Sequence, residues 1–240
     1  MMRTILCAIY VAISMVYLIP FGLIQLIVKL LGFRKLSSLI MRGIEHSWGW
    51  LFIAAAGGKA VVTGQENIPR TGAVCFVSNH IGFFDVPLVL AYSRRHIGFM
   101  AKKELLFVPL LNMWIALIGG QFIDRKNPRK AIKSFNKGIA RLKAGGAMII
   151  FPEGHRSRGQ GLLPFHPGSL KLATQAEAVI VPVAITGTYE LFEKNYYIVP
   201  GPVSITFCKP INTADIPPAD RKQALSDQVH AVIKEALNPS

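Results

Sequence analysis

Residues 4–33 read TILCAIYVAISMVYLIPFGLIQLIVKLLGF, and Lys29 is the one formally charged side chain among them. A run this apolar is costly to leave in water, so the chain must bury it or set it against lipid. About 20 apolar residues suffice to cross a bilayer as helix. Pro20 removes a backbone donor and, with Gly22 beside it, kinks or breaks a helix at that point. Two shapes follow: one kinked span, or a helical hairpin dipping into a single leaflet. A cleaved signal peptide fits less well, because no small-x-small site closes a short apolar region. Arg34, Lys35 and Arg42 come next and favour a cytoplasmic side for the rest of the chain. Residues 36–56 form a further helical stretch, with Trp48, Trp50 and Phe52 interspersed with Arg42, Glu45 and His46. An interfacial helix and a helix packed on a domain both suit that pattern.

The 240 residues suit one α/β domain with an appended segment, divided as 1–57 (membrane-associated helices) and 58–240 (α/β domain). A mean hydropathy of +0.39 is high for a soluble enzyme and low for a polytopic membrane protein. Lysine and arginine number 27 against 13 acids. Fifteen of those bases lie between Arg94 and Lys171, against only Glu104, Asp124 and Glu153, so the anion-binding face belongs there. With no nucleic-acid reader motif and so apolar an N-terminus, the favoured anions are lipid and phosphorylated substrate. Cys7, Cys75 and Cys208 form no CxxC pair, which argues against a disulfide framework or zinc and fits a reducing compartment.

From Lys59 the texture alternates. KAVVTG, AVCFVS, HIGFMAK, GQFIDR, AMIIF, VIVPVAITG and VSITFC read as strands. Between them lie helices from Val86 to Arg95, around LLNMWIALIG, over NPRKAIKSFNKGIARLKAGG and over SLKLATQAE, with ALSDQVHAVIKEAL last. Asn127 caps the clearest helix, Pro128 opens it and Gly145 stops it. Ile132, Phe135, Ile139 and Leu142 mark its apolar face; Arg129, Lys130, Lys133, Lys137 and Arg141 mark a solvated or lipid-facing one. The fold class is α/β: a mostly parallel or mixed central sheet flanked by helices, preceded by an N-terminal apolar helical membrane-binding segment. Chemistry in such folds gathers beyond the C-terminal ends of the strands.

Three polar clusters stand there: NHIGFFD with His80 and Asp85, GGQFIDR with Arg125, and FPEGHRSRG with Glu153, His155, Arg156 and Arg158. Each alone has two readings. His80 and Asp85 lie five positions apart, off one face of a continuous helix, so they are either a base and its orienting acid meeting across a turn, or a core histidine beside a helix cap. Arg125 is either a surface ion-pair residue or a ligand for an anion. The third cluster is a solvated loop or a guanidinium site for phosphate. Ser157 and Ser169 stand in no GxSxG elbow, and His80, Asp85 and His96 match no strong metal spacing.

Taken in order, these blocks resemble the glycerolipid acyltransferase family typified by 1-acyl-sn-glycerol-3-phosphate acyltransferase. NHIGFFD is similar to its NHxxxxD block, GGQFIDR to the second, FPEGHRS to FPEGTRS and VIVPVAI to the fourth; MAKKELLFVPLLNMW resembles its lysine-containing segment. The likeness implies acyl transfer from acyl-CoA or acyl-carrier protein to the free hydroxyl of lysophosphatidic acid. It implies His80 as base and Asp85 as its partner, and Arg125, Glu153, Gly154 and Arg156 around the acceptor phosphate. Lys102 then becomes an oxyanion or donor contact, Pro182 a structural residue, and no metal or redox cofactor is needed. His155 replaces the usual threonine, and His166-Pro167 stand where an FKxG segment would carry lysine. Either change bears on the acceptor headgroup, leaving open another lysophospholipid, glycerol 3-phosphate or a lyso-amino-acid lipid. A catalytically silent protein that binds anionic lipid is the reading from another class.

Overall fold

The computed structural model describes residues 1–240 except Arg125, Pro167, residues 218–222 and residues 239–240. Helices α1 (Met2–Tyr17), α2 (Ile19–Leu30) and α3 (Arg34–Ala55) open the chain. The break between α1 and α2 falls at Leu18, and Pro20 sits in the first turn of α2, where its missing N–H removes no helical bond. The two helices bend by 41° at that break. Among the described residues no single helix is long and apolar enough to cross a membrane, but this bent pair is, by length and composition. The chain reverses later, at Gly32 (φ +88°), and folds α3 against α2, where Gln25 Nε2 donates to Ser37 Oγ at 2.8 Å.

The sheet contains β1 (Gly58–Thr63), β2 (Val74–Ser78), β3 (Ile97–Lys102), β4 (Gln121–Ile123), β5 (Ala147–Ile150), β6 (Val179–Thr186), β7 (Gly201–Phe207) and β8 (Ile211–Asn212). Their order is β1-β7-β6-β2-β5-β3-β4, with β8 pairing β6. Strands β6, β2, β5, β3 and β4 run parallel; β7 and β8 join β6 antiparallel, so the sheet is mixed. The remaining helices are α4 (Asp85–Tyr92), α5 (Leu111–Ile118), α6 (Pro128–Lys143), α7 (Lys171–Gln175), α8 (Thr188–Leu191) and α9 (Ala224–Leu237). Side-chain alternation along β2 divides the core. Val74 and Phe76 join the layer under α3 and α4, while Cys75 and Val77 join the layer under α6, α7 and α9.

Two local expectations are corrected. On α6, Leu142 and Ile139 are buried, but Ile132, one turn from the N-terminus, lies outside the core. Arg141 does not face solvent: its Nε donates to Ala147 O at 3.1 Å and its Nη2 to His96 O at 3.1 Å. It is drawn inward by Glu45 of α3, which is buried and accepts from His96 Nδ1 at 2.7 Å. Burial pushes the Glu45 carboxyl up, opposed by His96 and then Arg141. Of the two readings open for α3, packing on the domain is the one observed: it lies on α4 and supplies Met41, Phe52 and Ile53 to the interior. A helix drawn with the N-terminal segment is thus part of the core, although Leu36, Leu39 and Trp50 remain exposed.

Glycine makes that packing close. A Cβ on Gly49 would meet Pro87 O at 2.4 Å and Ala91 N at 2.9 Å, whereas one on Gly43 of the same helix would meet nothing within 4 Å. Helix propensity favours alanine over glycine by about 1 kcal/mol at either position. Gly43→Ala is therefore expected to stabilise by up to about 1 kcal/mol. Gly49→Ala is expected to destabilise by about 1–3 kcal/mol, because overpacking outweighs propensity. Thermal unfolding of the two variants checks the opposite signs; a shared sign would refute the packing argument.

Candidate active site

Parallel strands β2 and β5 are neighbours, so the loops that follow them meet at one edge of the sheet. The loop after β2 carries His80, and the loop after β5 carries Glu153 and Arg156. His96 stands before β3, at the opposite end of the parallel set, and is not part of this site.

His80 Nδ1 lies 2.6 Å from Asp85 Oδ2. The same oxygen accepts the N–H groups of Ile81 at 2.8 Å and Gly82 at 3.0 Å, and the other oxygen accepts Thr188 Oγ1. Asp85 is fully buried, while His80 keeps 20% of its side chain exposed. An acceptor carboxylate opposite Nδ1 requires the proton on Nδ1, so proton chemistry falls to Nε2. Phe151 stacks on the imidazole with centroids 4.1 Å apart and fixes the ring plane. Asp85 is the first residue of α4, not its cap: its carboxylate reaches back to the turn before the helix. The five-residue spacing works because the chain between the two side chains is a turn.

Two carboxamide bonds set the strand end. Asn79 Oδ1 accepts Ile185 N at 2.8 Å and its Nδ2 donates to Ile185 O at 2.9 Å, so the side chain pairs with β6 as a strand residue would. Across the site, Glu153 is buried and both oxygens accept backbone N–H groups, from His80 at 2.7 Å and Leu163 at 3.2 Å. Burial pushes the Glu153 carboxyl up, opposed by those two bonds and the nearby His80. Its observed work is to brace one loop against the other, with both carboxylate oxygens engaged by backbone N–H groups. Gly154 turns the chain at φ +74° and donates to Phe151 O at 3.0 Å.

Arg156 is in place beside the turn, but it is already paired. Its Nη1 donates to Glu193 Oε1 at 2.5 Å, and Glu193 Oε2 accepts Phe83 N at 2.7 Å. Lys102, at the end of β3, is largely exposed and pairs with Glu104 at 3.8 Å; neighbouring Lys103 bonds Asp124 at 2.9 Å. That bond, and then the N–H of Lys126, holds the Asp124 carboxyl below its usual range despite partial desolvation. Arg125 lies outside the described residues, as does Pro167. His155 and His166 are exposed.

Thr188 and Glu193 carry no motif and escaped the sequence reading. Both lie in the segment that starts with α8 and folds over the NHIGFFD turn. Gly82 admits this segment: a Cβ there would sit 2.9 Å from Glu193 Oε2, Thr188 C and Tyr189 N. The signal available in the sequence was the glycine within the heptapeptide, which asks for a close neighbour without saying which.

A buried carboxylate that fixes one nitrogen of a half-open imidazole, at the C-terminal edge of an α/β sheet, defines an enzyme-type site built for general-base chemistry. The chain belongs to the Acyltransferase family, whose sequence profile matches residues 59–186. It is 35% identical over 173 residues to the 1-acyl-sn-glycerol-3-phosphate acyltransferase of Cocos nucifera, covering 71% of this chain and 55% of that one. It is 36% identical over 162 residues to the protein of the same name from Borreliella burgdorferi, covering 67% and 63%. The chain thus aligns with somewhat more than half the length of these curated relatives. The crystal structure of the 1-acyl-sn-glycerophosphate acyltransferase PlsC from Thermotoga maritima superposes with a TM-score of 0.82 at 28% identity, over 98% of this chain and 95% of that chain. The profile match ends at residue 186, two residues short of Thr188.

Proposed function

We propose that this chain transfers a fatty acyl group from a thioester donor to the sn-2 hydroxyl of 1-acyl-sn-glycerol 3-phosphate, forming phosphatidic acid. The observation that carries the reading is the His80–Asp85 pair, joined by Glu153 to the loop that holds Arg156. The relatives' names point to the same reaction. An alcohol is a weak nucleophile near neutral pH, so His80 Nε2 takes the hydroxyl proton as the oxygen attacks the thioester carbonyl. The C–O bond forms, the C–S bond breaks, and the departing thiolate receives the proton from the imidazolium. Asp85 holds the ring tautomer and stabilises that cation. The N–H groups of Ile81, Gly82 and Phe83 are committed to Asp85 and Glu193, so the developing oxyanion is met by other donors, among which Lys102 is a candidate. Arg125 and Arg156 hold the acceptor phosphate. The thioester brings its own activation, and this scheme calls for no metal or redox cofactor.

The donor is acyl-CoA or acyl-carrier protein, and the acceptor is drawn from a membrane. Ile5, Ile9, Ile13, Leu23, Ile27 and Leu30 are exposed along the bent pair α1–α2, an apolar surface suited to lipid. Arg34, Lys35 and Arg42, just beyond it, suit the cytoplasmic face of a bacterial cytoplasmic membrane, with the catalytic domain on that side. Residues 1–57 are then the membrane-associated segment and residues 58–240 the acyltransferase domain, with α3 shared between the two.

The test is an acyl-transfer assay on full-length protein in mixed vesicles, with a panel of lyso-acceptors and both donors. Lysophosphatidic acid is expected to give the highest kcat/KM. Preference for another lysophospholipid or for glycerol 3-phosphate would replace the acceptor, and no transfer across the panel would leave a lipid-binding protein.

A further inference from the structure

Arg156, read above as a phosphate ligand, has an anion in place. Glu193 is reached just after α8, and its carboxylate is divided: one oxygen takes Arg156 Nη1 at 2.5 Å, the other takes the N–H of Phe83 at 2.7 Å. The side chain of Glu193 is 11% exposed and that of Arg156 is 35% exposed. The carboxylate therefore occupies the inner side of the guanidinium. It is held there by the backbone of the catalytic turn, and Gly82 leaves the room. An incoming anion meets a cation whose charge is already balanced.

We propose that Glu193 is a specificity-determining residue for the acceptor headgroup, a resident anion that a phosphate monoester displaces and a phosphodiester does not. The proposal rests on the assignment of Arg156 to the acceptor phosphate. A phosphate monoester near neutral pH carries about −1.5 to −2 charge and three acceptor oxygens. It outbids a carboxylate of charge −1 for a guanidinium, which bonds anions in proportion to charge and fork geometry. A phosphodiester carries a single charge on two free oxygens and gains nothing over Glu193. The carboxylate also has somewhere to stay: when Oε1 gives up Arg156, Oε2 keeps the Phe83 N–H. Selection against diester headgroups is thus achieved by a competing group, not by closing the pocket.

Glu193→Gln isolates the charge, since its amide oxygen can still accept the Phe83 N–H. In that variant the KM for lysophosphatidic acid is expected to fall about tenfold, equivalent to about 1.4 kcal/mol, with a smaller change in kcat. The preference for lysophosphatidic acid over a lysophosphatidylglycerol acceptor is expected to narrow. Arg156→Ala should raise the KM for lysophosphatidic acid, and adding Glu193→Gln to it should change nothing further. If Arg156→Ala leaves that KM unchanged, the phosphate assignment itself fails. If Arg156→Ala raises it but Glu193→Gln raises it too, or leaves both KM and preference unchanged, then Glu193 merely orients the arginine and the proposal is overturned. A measurement on the unaltered protein covers a variant that does not fold: methyl phosphate should compete with the acceptor far better than dimethyl phosphate does. Equal inhibition by the two would also overturn the proposal.

Discussion

Asp85→Asn is expected to lower kcat by about 10³–10⁴-fold, or roughly 4–5.5 kcal/mol of transition-state stabilisation. Four donors converge on this buried carboxylate: the imidazole, two backbone N–H groups and the Thr188 hydroxyl. Asparagine has one acceptor oxygen for them and brings an amide NH₂ of its own. If the oxygen keeps the N–H groups of Ile81 and Gly82, the NH₂ is left between the imidazole and the threonine. Facing the ring, it requires an unprotonated Nδ1, which moves the proton to Nε2 and removes the base. The acceptor KM should move little, because Asp85 acts through His80 and meets no substrate. A kcat within tenfold of the unaltered protein, at full acyl-donor occupancy, would refute the tautomer role.

His80→Ala is expected to reduce kcat by roughly 10²–10⁴-fold, the usual contribution of a positioned general base. Fold is the necessary control. The His80 backbone donates to Glu153 and accepts Ser157 N at 2.7 Å, and both bonds survive in alanine. Only the ring's stacking on Phe151 and its bond to Asp85 are lost, so circular dichroism and cooperative unfolding should persist. A folded variant that still transfers acyl groups at the normal rate would remove His80 from the mechanism.

The parts of this molecule that could be read from its sequence are those in which neighbours along the chain determine the outcome. The helix over NPRKAIKSF is capped by Asn127, whose Oδ1 accepts Lys130 N at 3.1 Å, and the strand ends carrying the polar clusters fall where apolar runs stop. His80 and Asp85 were visible because five residues separate them. Thr188 lies 103 residues from Asp85, and Glu193 lies 37 from Arg156. Nothing local marks such partners; they are chosen by which strand neighbours which. Of the two side chains misjudged on α6, Arg141 has the same origin. Arg141 is drawn in by Glu45 from a helix nearly a hundred residues earlier, and Ile132 is exposed although it shares the helical spacing of Ile139 and Leu142. Glu153 shows a different limit: its type and place are legible locally, whereas its burial and the two backbone N–H groups it accepts are set by the packing of distant loops.

The bent pair α1–α2 is bonded to the rest of the fold at several separated points. Ile198 N donates to Thr4 Oγ1 at 2.9 Å, Trp48 Nε1 to Ser14 Oγ at 2.9 Å, and Trp114 Nε1 to Met15 O at 2.9 Å. Farther along, Gly22 lets α2 approach the Trp114 ring. A flexible tether would let a catalytic centre wander above whatever surface the apolar residues touch. These attachments instead make the pair a gauge: the distance and tilt of His80 relative to its exposed apolar side are dimensions of the fold.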